Sequence, residues 1–343
     1  IVYYDKFTLR TTGTRGYNKA QMQSQAFVDT LNMVAALYGL STWEYRAGDY
    51  PVPTGVKANI TDYLAGGSGT EGDPYLIETK KPLENLRDYV NLGETFKGKY
   101  IRQTAAIALN APRSQWGVQM PEQWTPIGTM IFSPFHKEQT TEEKALWYTH
   151  YFRGTYDGDF HKVENMYIDD PVGRPAGLFG VLFHDAVIKN LSVTDAYVVS
   201  PGTLSGVAIL ASDVDRYARN VYISQCHTSG VVGDPDNLFW LGAASAIVNG
   251  IALEGDNWIL NCSSSADVYA AEQPSAVTHQ GGIGGTDTIG NFLFTGTLTK
   301  RCNMSYCQFR VPNNQDSWIV SENGYFDLIL MDIQMPIMDG YET

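Results

Sequence analysis

Residues 177–193 read Gly177-Leu178-Phe179-Gly180-Val181-Leu182-Phe183-His184-Asp185-Ala186-Val187-Ile188-Lys189-Asn190-Leu191-Ser192-Val193. Two phrases in this stretch return along the chain. The first is a small-residue phrase, Gly177-Leu178-Phe179-Gly180. Its counterparts are Gly206-Val207-Ala208-Ile209, Ala243-Ala244-Ser245-Ala246-Ile247 and Gly282-Ile283-Gly284-Gly285. The second is an Asn, an apolar residue and then alternation. It reads Asn165-Met166-Tyr167-Ile168, Asn190-Leu191-Ser192-Val193 and Asn220-Val221-Tyr222-Ile223, with weaker copies at Asn261-Cys262 and Arg301-Cys302-Asn303-Met304. Successive copies stand 25, 30, 41 and 40 residues apart.

A degenerate repeat of this length has a definite physical reading. Each unit offers short strands with one apolar side and cannot bury that side alone. Stacking on the next unit makes a continuous core and satisfies the backbone through parallel ladders. Gly and Ala permit tight corners and close approach of neighbouring units. The fold expected is mostly β, a parallel β-helix. Asn at one corner of successive units can form a side-chain ladder, so Asn165, Asn190, Asn220 and Asn261 are expected to be structural.

Upstream, Gly72-Asp73-Pro74-Tyr75-Leu76-Ile77 reads as a turn feeding a strand, and residues 83–90 as a short helix. Residues 96–109 read as extended chain, with Tyr100, Ile101, Ile107 and Leu109 available for burial. Residues 19–38 have helical periodicity, with Phe27, Leu31, Val34, Ala35 and Tyr38 on one face and Gly39 as the stop. The expected organisation is an N-terminal helix-containing cap over 1–68, the repeat over 69–311 and a C-terminal strand or cap over 312–343.

The chain has 343 residues, 33 Gly and a formal net charge of −13. That balance argues against a phosphate-binding face, hence against nucleic acid, and against an anionic membrane surface. No apolar run is long enough for a membrane helix. The chain opens on Ile1 and not on Met, which leaves room for a leader already removed. Cys226, Cys262, Cys302 and Cys307 are too few for a disulfide scaffold and lack zinc-site spacing. No cofactor or metal is expected.

Gly177-Leu178-Phe179-Gly180 followed by Ala186-Val187-Ile188-Lys189-Asn190-Leu191 resembles the GLUG repeat of bacterial surface proteins. Trp124-Thr125-Pro126-Ile127-Gly128, Phe152-Arg153-Gly154-Thr155-Tyr156-Asp157-Gly158 and the Gly72–Ile77 phrase resemble the segments that lead into it. The resemblance covers 69–311 and is strongest over 69–200. It implies a right-handed parallel β-helix exported to the cell surface, adhesin-like and of Bacteroidetes type. Such modules also occur beside IgA-protease-like domains, but no protease motif is present and the family has no shared catalytic residues to transfer.

The C-terminal stretch Tyr325-Phe326-Asp327-Leu328-Ile329-Leu330-Met331-Asp332, continuing to Thr343, resembles the phosphoacceptor strand and loop of a response-regulator receiver domain. On that resemblance Asp332 would be the phosphorylated carboxylate. A receiver's opening acidic pair and its later Ser/Thr and Lys are absent, so no phosphoryl transfer is expected. The segment reads equally as an apolar strand that caps the repeat, a strand that adds to a neighbouring molecule, or a junction with unrelated sequence.

Parallel β-helices also host polysaccharide lyases and glycoside hydrolases, whose hydrolytic chemistry needs two facing carboxylates. Asp157 with Asp159, and Asp213 with Asp215, have the spacing, but turn roles are the simpler reading. His161 and His184 have no evident nucleophile partner. Aromatic residues offer binding instead. Trp147, Tyr148 and Tyr151 flank a polar insertion at 136–146, and Trp240 follows Phe239 in another loop. The expected function is therefore non-enzymatic: an extracellular or cell-surface binding module for a glycan or protein ligand, or a fibre subunit capable of head-to-tail association. A β-helix lyase or hydrolase, and a signalling protein built on Asp332, are the rival classes.

Overall fold

The computed structural model describes residues 3–5, 15–131, 148–171, 175–200, 206–215, 218–233, 244–250, 257–268, 280–281, 302–305, 307–310, 317–322 and 325–332. It is mostly β, with few helices and predominantly parallel sheets. The Gly282–Gly285 phrase lies outside the described residues.

In the first sheet, strands Tyr75–Ile77, Tyr100–Gln103, Thr155–Asp157, Val187–Lys189, Tyr222–Ser224, Asn257–Leu260 and Cys302–Ser305 lie side by side in chain order, all parallel. The second sheet runs from Ile107–Ala108 through Lys162–Glu164, Ser192–Val199, His227–Val232 and Ser263–Ser264 to Cys307–Arg310, again parallel and in order. Two shorter parallel sets carry Phe179–Leu182, Ala211–Val214 and Val248–Gly250, and Val207–Ala208, Ala244–Ser245 and Gln280–Gly281. From Tyr100–Gln103 onward the chain thus visits the second sheet between neighbouring strands of the first, and the first connection, from Ile77 to Tyr100, carries the helix Lys80–Asn91 instead, as parallel pairing requires a long connection.

Period-two alternation sends every second side chain inward. The register then aligns Ile101, Tyr156, Ile188, Ile223 and Ile259 into one buried column. A second column holds Ile107, Val163, Val193, Thr228 and Ser264. Its polar members are satisfied by each other, Thr228 Oγ1 donating to Ser264 Oγ at 2.8 Å. Counted along the first column from Tyr156 to Ile259, the repeat lengths are 32, 35 and 36 residues.

These lengths differ from the spacings of the Asn phrase, and the reason is local. Asn165, Asn190, Asn220 and Asn261 all have left-handed backbone, with φ of 57°, 53°, 56° and 50°. They occupy three different corners. Asn190, Gln225 and Asn261 turn the chain from the first sheet into the second; Asn220 shares the corner before the first sheet with Asp185; Asn165 is aligned with Asp195. The expected single ladder is therefore corrected. The amides of Asn165, Asn190 and Asn220 donate to Asn110 O (3.2 Å), Asp157 Oδ1 (2.9 Å) and Asp185 Oδ1 (3.2 Å). Asn recurs because it tolerates positive φ, and the buried residue after it, Met166, Leu191, Val221 or Cys262, directly precedes the next strand.

The glycines of the 177–180 phrase have an equally specific role. A Cβ on Gly180 would stand 2.0 Å from Gly128 O, in the preceding repeat, and one on Gly177 would stand 2.6 Å from Ala208 O, in the following one. Each glycine clears the backbone on one side.

Among the described residues three α-helices lie toward the N-terminus: α1 (Lys19–Met22), α2 (Gln25–Tyr38) and α3 (Lys80–Asn91). Ser24 Oγ accepts from Phe27 N to cap α2, and Gly39 at φ 60° ends it. Phe27 and Ala35 are buried, but Tyr38 is exposed and its hydroxyl donates to Glu94 at 2.8 Å. The carboxylate at the rim draws the last turn's tyrosine outward. The main apolar cluster takes Met33 from α2 but Leu83, Leu86, Tyr89 and Val90 from α3. The larger apolar contribution beside the opening strand Tyr75–Ile77 comes from α3. At the other end, Ser317–Glu322 and Tyr325–Asp332 extend the second sheet in antiparallel sense, and Asp332 pairs with Ser317 as the last residue of its strand.

Candidate ligand-binding surface

Of the four aromatic candidates, Trp147 and Trp240 lie outside the described residues. Tyr148 opens strand Tyr148–His150, which pairs antiparallel with Thr129–Ile131. Tyr151 is half-buried one residue beyond that strand. Its ring stacks on Phe183 at 4.5 Å, and its hydroxyl donates to Asp215 Oδ2 at 3.5 Å. Arg153 covers Phe183 at 5.4 Å and donates from Nε to His184 O. Tyr151 therefore belongs to an aromatic and cationic patch that spans neighbouring repeats.

A second aromatic array escaped the sequence reading. Tyr167 and Tyr197 are register partners whose rings stack at 5.8 Å and 10°. Trp116 meets both edge-on, at 5.1 and 6.2 Å, and the Arg113 guanidinium lies 4.7 Å over Tyr197. Their signal was the identical placement of Tyr167 and Tyr197 two residues after an aligned left-handed corner. Tyr222 and Trp258 form a like pair on the first sheet, at 6.3 Å. Cross-strand aromatic pairs of this kind stabilise the sheet as well as offering contact area.

The paired carboxylates are held in structural bonds. Asp157 accepts from Asn190 Nδ2 and Asp159 N, both at 2.9 Å, and pairs with Lys189 at 3.2 Å. Burial acts to raise its carboxyl, but those three donors outweigh burial and hold it below the usual value. Asp159 sits at φ 46° on an exposed turn. Asp213 lies within strand Ala211–Val214 and not in the turn expected, and Asp215 directly follows that strand. His184 Nδ1 accepts from Arg219 N at 3.0 Å, and His227 Nδ1 shares a hydrogen bond with Ser263 Oγ at 2.8 Å. Among the described residues no group of three or more His, Cys, Asp or Glu is placed to hold a metal ion. A cleft of about 270 Å³ opens between residues 123–126 with Thr129 on one side and residues 168–171 with Pro175 on the other, its wall including Pro126, Ile168, Pro171 and Pro175.

No protein-family model matches the chain. It is 26% identical over 174 residues to a candidate Gly-rich membrane protein of Evansella cellulosilytica, covering 51% of this chain and 17% of that protein. It is 24% identical over 246 residues to halomucin of Haloquadratum walsbyi, covering 69% of this chain and 2% of that protein. The chain thus spans a small part of the curated relatives it matches. Among solved structures, a candidate immunoglobulin A1 protease of Bacteroides ovatus is similar at 19% identity and a TM-score of 0.44, over 71% of this chain and 58% of that one. No helix among the described residues is long and apolar enough to cross a membrane.

Proposed function

We infer that the chain is part of an exported, cell-surface right-handed parallel β-helix that works without catalysis, as an adhesin-like binding module or a fibre subunit. The observation that carries this reading is the register of the first sheet. Strands from successive repeats lie parallel and in chain order with one buried column, while the chain visits the second sheet between them. Connections between parallel strands are overwhelmingly right-handed. The GLUG resemblance and relatives named as a membrane protein and a halomucin favour the cell surface. The regular sheets would display the Tyr151 patch, with Trp147, Tyr148 and Trp240 as further contacts, to a glycan or protein ligand.

A glycan and host-protein panel, with product analysis of every retained glycan, tests the reading. Retention without cleavage is expected, weakened by Tyr151→Ala. Cleavage products would replace the binding module with a lyase or hydrolase. Incubation with acetyl phosphate should leave the intact mass unchanged; a phosphate adduct at Asp332 would revive the signalling class.

A further inference from the structure

Three of the four cysteines fall in one register column. His227 pairs with Ser263 and Ser263 with Gln308, so the residues just before them, Cys226, Cys262 and Cys307, hold the same place in three successive repeats. In the repeat before, Ser192 pairs with His227, and the equivalent place belongs to Leu191. Cys302 stands elsewhere, paired with Asn257 in the first sheet. Leu191, Cys226 and Cys262 are all buried, so the column turns into the core. A position that asks for an apolar side chain is met by leucine once and then by cysteine in each following repeat.

The two described thiols are set alike. Cys226 Sγ donates to Ser224 O at 3.3 Å and to Ile188 O at 3.8 Å. Cys262 Sγ donates to Leu260 O at 3.3 Å and to Ile223 O at 3.8 Å. Equal contacts one repeat apart relate the side chains by one strand spacing, about 4.7–4.9 Å. That falls within the Cα separations a disulfide spans, about 4.4–6.8 Å. Turning the sulfurs toward each other about the Cα–Cβ bonds gives up only weak S–H donors.

We propose that Cys226 and Cys262 join in a disulfide that staples two neighbouring repeats as the chain folds. The bond forms by thiol–disulfide exchange with a small oxidised disulfide. One cysteine thiolate attacks it and displaces one thiol; the other cysteine then attacks the mixed disulfide and displaces the second. Two protein S–H bonds are lost, one S–S bond is gained, and the two electrons reduce the small disulfide to two thiols. The closed loop restricts the unfolded chain and holds the two repeats in register. That the chain meets oxidising surroundings rests on the export proposed above. The test supplies the oxidant itself, so its failure and a failure of that reading are distinguishable.

The full chain is unfolded in urea with its thiols reduced, then refolded in a mixture of oxidised and reduced glutathione. Mass spectrometry of an unreduced digest maps the linkage. A bond joining Cys226 to Cys262 is expected as the main product. An unguided chain favours its shortest loop, Cys302 to Cys307, so that pairing measures chance. The oxidised chain should unfold about 1 M higher in urea than the same chain after dithiothreitol. Cys226→Ala, with the other three cysteines in place, should lose that gain. A main product joining Cys302 to Cys307 or Cys262 to Cys307 overturns the proposal. So does a chain whose thiols stay reduced, or a gain that survives Cys226→Ala.

Discussion

Replacing Gly180 by alanine would place a methyl carbon 2.0 Å from Gly128 O, a backbone atom of the preceding repeat, with Pro126 Cβ a further contact at 3.1 Å. Neither backbone can yield cheaply. Gly180 N donates to Ile127 O at 2.9 Å, so relieving the clash by separating the strands stretches that bond. Overpacking of this kind costs about 1–3 kcal/mol. A weakened backbone hydrogen bond adds about 0.5–1.5 kcal/mol. The expected destabilisation is therefore roughly 2–4 kcal/mol. Gly72→Ala is the internal control: a Cβ there meets nothing within 4 Å and φ is not positive, so stability should change by less than about 0.5 kcal/mol or rise slightly. Urea unfolding followed by circular dichroism and tryptophan fluorescence measures both, with coincident transitions required before a free energy is extracted. A Gly180→Ala chain within about 0.5 kcal/mol of wild type would refute the close approach of successive repeats on which the reasoning rests.

Tyr89 and Tyr156 make a matched pair of tests. The Tyr89 hydroxyl is buried without a hydrogen-bond partner among the described residues, so Tyr89→Phe should leave urea stability unchanged or raise it by up to about 1 kcal/mol. Tyr156 donates to the buried Gln103 Oε1 at 3.0 Å, so Tyr156→Phe should cost about 1–3 kcal/mol by orphaning that acceptor. Burial lowers the His227 pKa below its ordinary 6.5, so the folded state binds its proton less readily than the unfolded chain. Its contribution is complete above pH 6.5 and is lost as pH falls from there through the folded pKa; His227→Gln should flatten that part of a stability-versus-pH curve. Ser24→Ala removes the side-chain cap of α2 and should cost about 1 kcal/mol, readable in thermal melts of the N-terminal segment.

What was legible in the sequence was the alternation and the corners. Ile101, Ile188 and Ile223 advertise strands because their neighbours alternate with them, and Gly39 ends α2 where a left-handed residue was expected. The true repeat length was harder to read. The Asn-apolar phrase answers a local demand, a left-handed residue followed by an inward one, and that demand arises at several corners of each unit. Counting from one Asn to the next therefore mixed corners, whereas register partners such as Ile188 and Ile223 count whole repeats. The Trp116–Tyr167–Tyr197 array was hidden for a related reason. Its members are separated by 51 and 30 residues and meet only when the register stacks the two tyrosines and the 110–122 loop folds back over them. The relief of the carboxylate pairs was invisible too, because the partners of Asp157 come from Asn190 and Lys189 in the next repeat.

The most direct test of the central claim is a crystal structure of the full chain in which the Cα separations Tyr156–Ile188, Ile188–Ile223 and Ile223–Ile259 are measured. Stacked parallel repeats predict about 4.7–4.9 Å for each, with all four strands running in the same sense. An antiparallel neighbour, or any of these pairs separated by two or more strand spacings, would contradict it.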